Sequence, residues 1–329
     1  MSKEKLNFGI IIRVFVSLLP ILFGMPTLAT IFCAYNIAMS FIIFGPLTAF
    51  VSSLCSIGIS MFLASSYGPA EELSGLVWGI QAILCGAGCI YGIFSIKDFY
   101  YGLGVSTLGI VIPQIIYTQH RAHSDGMTVV QMLVPKTENI KLIINDTIGS
   151  LQLEEQKALQ INDILVDKMA ATVENITTML IPSALIIVAM VIAYVVMWAV
   201  SVQLRRLPFG GGHSFSHIKV TRTCVLIIPI LLLLVISGIG ISNSLIIMVS
   251  LNMIIVLLSM CFFAGISLVD FYIRRFIPFM PVRVILHALV ALNAFPVYIL
   301  AAFADSFANF RKLPVAVNKK GGEAHETKE

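Results

Sequence analysis

A water-soluble segment of 59 residues, from His120 to Thr178, interrupts a chain that is otherwise almost continuously apolar. Five apolar segments precede it and about four follow, each close to the ~20 residues that a helix needs to cross a bilayer. This segment carries eight acidic and five basic side chains, whereas the next connection, Gln203 to Arg222, carries four basic residues and no acid. The pattern predicts a polytopic membrane protein with one large extramembrane insertion.

Composition excludes an ordinary soluble domain. The mean hydropathy is +0.96, and 12% of the residues are charged, against about 25% in soluble proteins. The net charge of +4 comes from basic residues at the ends of apolar segments, so the predicted partner is the lipid bilayer and not a nucleic acid. All six cysteines lie in apolar stretches, which favours buried thiols between helices over disulfides.

Helix-breaking turns separate the apolar segments, as at Gly24-Met25-Pro26 and Gly45-Pro46. We predict an all-α fold, a polytopic transmembrane helical bundle of about nine spans, with eight as the alternative. A soluble, partly helical insertion separates spans five and six, and an amphipathic helix between Leu151 and Ile176 is expected to lead into span six, packed as a cap over the bundle. The predicted spans are Phe8–Gly24, Thr27–Phe44, Leu47–Ser65, Leu76–Ile96, Phe99–Tyr117, Met179–Val202, Thr223–Ile241, Leu245–Asp270 and Val282–Ala304.

These segments group into four predicted regions. Residues 1–202 form a six-span bundle that includes the extracytoplasmic insertion 118–178, and residues 203–222 form a basic cytoplasmic loop. Residues 223–304 form C-terminal membrane helices, and residues 305–329 form a polar tail.

The distribution of Lys and Arg in short loops predicts that the N-terminus is cytoplasmic. The basic loop, Arg274, Arg275 and Arg283 then also lie inside, but a ninth span would place the basic tail from Arg311 outside. Two alternatives follow. Either the last apolar segment, with Asn293 and Pro296 near its centre, does not cross fully, or the tail is an exception to the rule.

Candidate catalytic and metal-binding patterns are sparse. His120, His123 and Asp125 lack a fourth ligand, and His213 and His217 stand beside three glycines that read as a linker. Cys85 and Cys89 lie on one helical face with Gly86 and Gly88, which favours close helix packing over metal chemistry. We therefore predict no metal, no cofactor and no enzymatic activity.

Polar side chains at membrane depth are the best pointers to function, because their burial costs free energy unless they have partners. Asn36 and Tyr35 on the second span, Trp78 and Gln81 on the fourth, and Gln114 on the fifth are predicted to line an aromatic and amide pocket in the outer half of the bundle. The alternative is that these amides bridge helices structurally. Asn252 and His287 are further polar residues later in the chain.

Three short motifs carry a family resemblance: Ile181-Pro182 after the insertion, 265–275 (GISLVDFYIRR) and 304–313 (ADSFANFRKL). With six spans before a basic loop, the chain resembles the YybS-type bacterial membrane proteins, and more distantly the substrate-binding S components of energy-coupling-factor transporters. This resemblance implies a bacterial plasma membrane protein. The first span lacks the Ala-x-x-x-Ala motif with which S components dock on their energising module.

Two functions follow. The first is a transporter subunit that binds a small molecule, in partnership with an energising module. The alternative is a non-catalytic envelope scaffold whose cytoplasmic contact surface includes Arg205, Arg206, Arg274 and Arg275.

Overall fold

The computed structural model describes residues 12–68, 71–96, 99–134, 141, 163–204 and 219–311. The chain divides into two compact units, one of residues 1–215 and 227–259 and one of residues 216–226 and 260–329. The predicted contact residues Arg205 and Arg206, much of the insertion and the tail beyond Arg311 lie outside the described residues.

Within the described residues, every regular element is a helix, which confirms the all-α polytopic bundle. Eight of these helices are long and apolar enough to cross a membrane, and one at the N-terminal end is apolar but shorter. The helices are α1 (Ile12–Phe23), α2 (Pro26–Phe44), α3 (Pro46–Ser65), α4 (Glu72–Ile90, extended by a π-helical turn, Tyr91–Ile96), α5 (Phe99–Ser124), α6 (Val129–Leu133), α7 (Asp163–Leu204), α8 (Arg222–Gly240), α9 (Ser244–Ile273) and α10 (Met280–Ala308).

The two turns predicted at the start of α2 and α3 are confirmed. Gly24 and Gly45 have φ angles of 70° and 91°, a region that glycine enters without the steric cost of a Cβ atom. Pro26 and Pro46 begin the helices that follow, where a missing N–H group leaves no helical hydrogen bond unmade. Local sequence thus sets both chain reversals.

Helix α4 packs against α2, α3 and α5 in the first unit. A Cβ atom on Gly86 would lie 2.9 Å from the Ala34 carbonyl oxygen of α2, and one on Gly88 would lie 2.7 Å from the Ser106 backbone nitrogen of α5. The close helix approach that the sequence predicted at these glycines is therefore confirmed. Small residues let the backbones come together, as is usual between membrane helices.

Helix α7 has 42 residues and is about 63 Å long, roughly twice the thickness of the hydrocarbon core. It continues the sixth span into the insertion, as predicted. Met169, Val173 and Ile176, apolar residues at helical spacing that the amphipathic pattern assigned to the packed face, are exposed, whereas Val166 is buried. The spacing of apolar residues identified a helix but could not identify the face that meets its neighbours.

In the second unit, helix α10 is broken at Ala294, where φ is −144° and ψ is 41°, two residues before Pro296. The break leaves two halves, 280–293 and 295–308, of 14 residues each. Each half is about 21 Å long, which is too short for a hydrocarbon core of about 30 Å.

Both ends of α10 contact the same end of α9. Near the start of α10, the Arg283 guanidinium lies 3.3 Å from the Asp270 carboxylate. Just after the end of α10, the Tyr272 hydroxyl donates to the Phe310 carbonyl oxygen at 3.1 Å. Because Asp270 and Tyr272 both lie in the last turn of α9, the segment enters and leaves on one side.

The charge pattern left open whether the last apolar segment crosses the membrane fully. These contacts favour the alternative in which it does not. Residues Pro281–Ala308 have the length and composition of a span, but the break folds them back. Arg311 then lies on the same side as Arg274 and Arg275, as the distribution of basic residues elsewhere in the chain would predict.

A buried ion pair fixes the end of the folded segment. The Arg311 guanidinium donates to Asp305 Oδ2 at 2.6 and 3.1 Å and to Ser267 Oγ at 3.0 Å, and the Asp305 and Arg311 side chains are 2% and 1% exposed. Asn309, with a φ of 48°, turns the chain back toward α9. The motifs 265–275 and 304–313 therefore contact each other.

The topology of α10 can be tested by cysteine labelling. We expect Phe276→Cys, before α10, and Phe310→Cys, after it, to react with a membrane-impermeant maleimide from the same side of the membrane, because α10 folds back. Ser242→Cys, at the opposite end of α9, is the control and should react from the other side. Labelling of Phe310→Cys together with Ser242→Cys would show that α10 crosses.

The contact of α10 with α9 requires glycine at position 265. A Cβ atom there would lie 1.9 Å from the Tyr298 carbonyl oxygen, so Gly265→Ala must displace backbone. We expect a loss of about 1–3 kcal/mol of stability, the usual cost of overpacking, seen as a lower thermal midpoint of the purified protein. Gly104→Ala, where nothing lies within 4 Å of the added atom, should leave the midpoint unchanged or slightly raised.

Candidate functional site

A cavity of about 360 Å³ lies in the first unit between α2, α4, α5 and α7. It lies beside the first turns of α2, the first half of α4 and the middle of α5, in the half of the bundle nearer the insertion. Its lining carries no charged side chain and consists of Pro26, Thr27, Thr30, Trp78, Gln81, Ile110, Val111, Gln114, Ala184, Leu185, Val188, Ala189 and Ile192.

Helical spacing places the polar side chains on the cavity. Trp78 and Gln81 are three residues apart on α4, and Ile110 and Gln114 are four apart on α5, so each pair shares one face of its helix. The residues of α7 that line the cavity are small or aliphatic, and they also recur every three or four positions. The structure thus brings together three of the five residues predicted to form a pocket.

The two glutamines form an amide bridge between α4 and α5. Gln81 Nε2 donates to Gln114 Oε1 at 2.9 Å and to the Ile110 carbonyl oxygen at 3.2 Å. Within the described residues, Gln81 Oε1 and Gln114 Nε2 have no hydrogen-bond partner. The bridge therefore leaves one acceptor and one donor group available to the cavity.

Asn36 and Tyr35 lie away from this lining. Asn36 Nδ2 donates to Ser17 Oγ and so joins α2 to α1. Both residues follow Thr30, the last lining residue of α2, by five or six positions, or about 8–9 Å along the helix. Asn36 therefore bridges two helices structurally, which was the alternative to a place in the pocket.

An ion pair joins α4 and α5 beyond the amide bridge. Arg121 Nη1 lies 2.9 Å from Glu71 Oε1 and donates to the Tyr117 hydroxyl at 2.8 Å. The sequence analysis missed this pair. Its signal was present in the spacing, because Glu71 precedes Trp78 by seven residues and Arg121 follows Gln114 by seven, two helical turns in each case.

Asn252 is satisfied within the first unit. Its Oδ1 accepts from the Ser183 backbone N–H at 2.7 Å, and its Nδ2 donates to the carbonyl oxygens of Met179 and Met248, each at 2.7 Å. All of its usual hydrogen-bonding groups are used to join α7 and α9, so Asn252 has nothing left to offer a ligand.

Basic residues of the second unit are bonded to the end of α10. Lys219 Nζ donates to Asn309 Oδ1 at 2.9 Å, and the Arg222 guanidinium donates to the Ser306 carbonyl oxygen at 3.1 Å. Partial burial lowers the pKa of the Lys219 ammonium, and the positive charges of Arg311 and Arg222 add to this, while Asp305 opposes it. Arg274 and Arg275 are exposed.

No cluster of three or more potential metal ligands occurs in the described part of the chain. His120, His123 and Asp125 are exposed there, with Asp125 3.9 Å from Arg121. His213 and His217 lie outside the described residues.

A family model described as predicted membrane protein (DUF2232) matches residues 8–305. The chain belongs to this family. The description of the DUF2232 family states a membrane location and no activity, so a function can be inferred only from the residues of the site. No curated protein and no solved structure matches the chain.

The amide bridge can be measured with a double-mutant cycle. Gln81→Leu leaves Gln114 without its donor, and we expect it to cost about 1 kcal/mol of stability, with a coupling of about 0.5–1 kcal/mol between positions 81 and 114. The matched control is the cycle of Gln81→Leu with Asn36→Leu, which should be additive because the two side chains are bonded to different partners. Additive effects in both cycles would contradict the bridge.

Proposed function

We propose that the first unit binds a small uncharged molecule in the cavity, as the substrate-binding subunit of a membrane transporter. The observation that carries the proposal is a cavity lined by uncharged residues, where Gln81 Oε1 and Gln114 Nε2, near Trp78, have no partner among the described residues. Its volume of 360 Å³ is at the small end of the usual range for ligand pockets.

The lining defines the class of ligand. A charged molecule would enter without a counter-ion, at a high cost in desolvation. A neutral molecule with an apolar ring, one N–H donor and one carbonyl acceptor can pack against Trp78 and the α7 wall while it bonds to Gln81 Oε1 and Gln114 Nε2. The lining has no paired nucleophile and base, so the proposal includes no catalytic step.

The distribution of basic residues and the resemblance to S components support the location and the transport role. With the N-terminus in the cytoplasm of a bacterium, the cavity faces the outer side of the plasma membrane, where a substrate would enter. An energising module would then supply the work of transport from the cytoplasmic side.

Binding can be tested with small cyclic amides as probes. We expect 2-pyridone or a larger neutral lactam to raise the free energy of unfolding of the purified full chain by about 2.7 kcal/mol at 100 times its Kd. The measurement is the rise in the thermal midpoint. The N-methylated analogue, which lacks the N–H donor, should stabilise far less. Gln81→Leu and Trp78→Ala should weaken the response at least tenfold in Kd.

Asn36→Leu and Tyr35→Phe are the matched controls, because these residues lie away from the cavity. They should keep the response of the unmodified protein. Equal responses in all four variants would show that the probe binds elsewhere. Two results together would favour the scaffold function. These are the absence of a response to any neutral amide and the co-purification of the chain with envelope proteins but without an ATPase.

A further inference from the structure

The break in α10 brings together four polar side chains of the second unit. His287, on the first half of α10, lies with Nδ1 2.8 Å from the Tyr298 hydroxyl on the second half. The other ring nitrogen, Nε2, lies 3.5 Å from Asp270 Oδ1 on α9, and Arg283 Nη1 lies 3.3 Å from the same oxygen. One histidine therefore connects both halves of the broken helix to α9.

This cluster is withdrawn from solvent but close to the aqueous end of α9. Tyr298 is fully buried, and the side chains of Asp270, Arg283 and His287 are 12–14% exposed. Asp270 stands one turn before Ile273, the last residue of α9. Ionisable groups in an apolar membrane segment are costly and are retained mostly for a function, such as the movement of ions or protons.

The hydrogen-bond pattern depends on the charge of His287. In the neutral ring with its hydrogen on Nε2, Nδ1 accepts from the Tyr298 hydroxyl, and Nε2 lies 3.5 Å from Asp270 Oδ1 without forming a hydrogen bond. In the protonated ring both nitrogens are donors, so the Tyr298 oxygen must accept and its own hydrogen must turn away. Within the described residues, no other group accepts from the Tyr298 hydroxyl. Uptake of one proton therefore reverses the bond across the break.

The charged groups around the ring come from α9 and from α10 itself. The groups that face His287 are Asp270 from α9 and, from its own helix, Arg283 and Tyr298. Asp270 and Arg283 balance each other, so the added proton leaves one net positive charge shared with a single carboxylate. Elsewhere in this unit Asp305 pairs with Arg311, and the other described cations are bonded at the end of α10 or exposed, namely Lys219, Arg222, Arg274 and Arg275.

We propose that Asp270, His287 and Tyr298 form a proton-binding site at the break of α10. The proton comes from the aqueous phase at the end of α9 and binds to His287 Nδ1, and the bond Tyr298 O–H to Nδ1 is replaced by a bond Nδ1–H to the Tyr298 oxygen. No electron transfer and no further reactant is involved. This inference rests on the second unit alone and is independent of the cavity.

The test is a pH titration of the full chain, labelled with ¹⁵N-histidine in lipid nanodiscs and followed by NMR between pH 5 and 8. His287→Gln identifies the His287 signals among those of the six histidines. We expect reversible exchange between a neutral ring that carries its hydrogen on Nε2 and a doubly protonated ring. In Asp270→Asn the ratio of protonated to neutral ring at a given pH should fall at least tenfold, because the carboxylate that favours the cation is lost.

Tyr298→Phe tests the other side of the ring. It removes one oxygen and should weaken the preference of the neutral ring for hydrogen on Nε2, since Nδ1 loses its donor while Asp270 still lies beside Nε2. Tyr272→Phe is the matched control, because its hydroxyl bonds to the Phe310 carbonyl, and it should leave the His287 titration unchanged.

Two results would overturn the proposal. A single protonation state of His287 throughout pH 5–8 would show that the cluster is a fixed structural network. A titration that is the same in the unmodified protein and in Tyr298→Phe would show an ordinary solvated histidine. If Asp270→Asn does not fold, the Tyr298→Phe result decides alone, since the substitution preserves the ring and its packing.

Discussion

Close contact between helix backbones is the constraint on which the first unit depends, and α4 supplies most of it. A Cβ atom on Gly75 would lie 2.5 Å from the Ser60 carbonyl oxygen of α3, and one on Gly79 would lie 2.9 Å from Ser60 Oγ. In lipid, water does not drive helices together, so association relies on such close packing and on hydrogen bonds between helices. The Ser60 hydroxyl adds one of these bonds, since it donates to the Gly75 carbonyl oxygen at 2.7 Å.

The same constraint explains why the cavity lies where it does. Glycines draw α4 onto α2, α3 and α5 along much of its length, and Trp78 lies beside them on the face of α4 that lines the cavity. Gln81, one turn further along, then reaches Gln114 across the gap. A half-buried indole and an incompletely bonded amide pair remain at one end of an otherwise close-packed bundle, and α7 closes the side with small residues.

Sequence alone predicts the helices well because membrane spans are set by length, hydropathy and turn residues such as those at Gly24 and Gly45. It places Trp78, Gln81 and Gln114 near one another, since each is polar or amphipathic at a similar depth. It fails to separate Asn36 from them, because a difference of two turns along α2 is smaller than the error in placing a span. It also misses the pair of Glu71 and Arg121, although each lies two helical turns from Trp78 or Gln114 in the same direction along the bundle.

The last apolar segment shows how charge and geometry can decide what hydropathy cannot. Its 28 residues have the length and mean hydropathy of a membrane span, but the basic residues on both sides of it disagree with a crossing. Breaking a helix inside a membrane exposes backbone groups, which is tolerated where protein covers them. Here the second half packs against α9 at Gly265, and the Asp305–Arg311 pair holds its end. The break then places His287 against Tyr298, an arrangement that a straight helix could not make for two residues eleven positions apart.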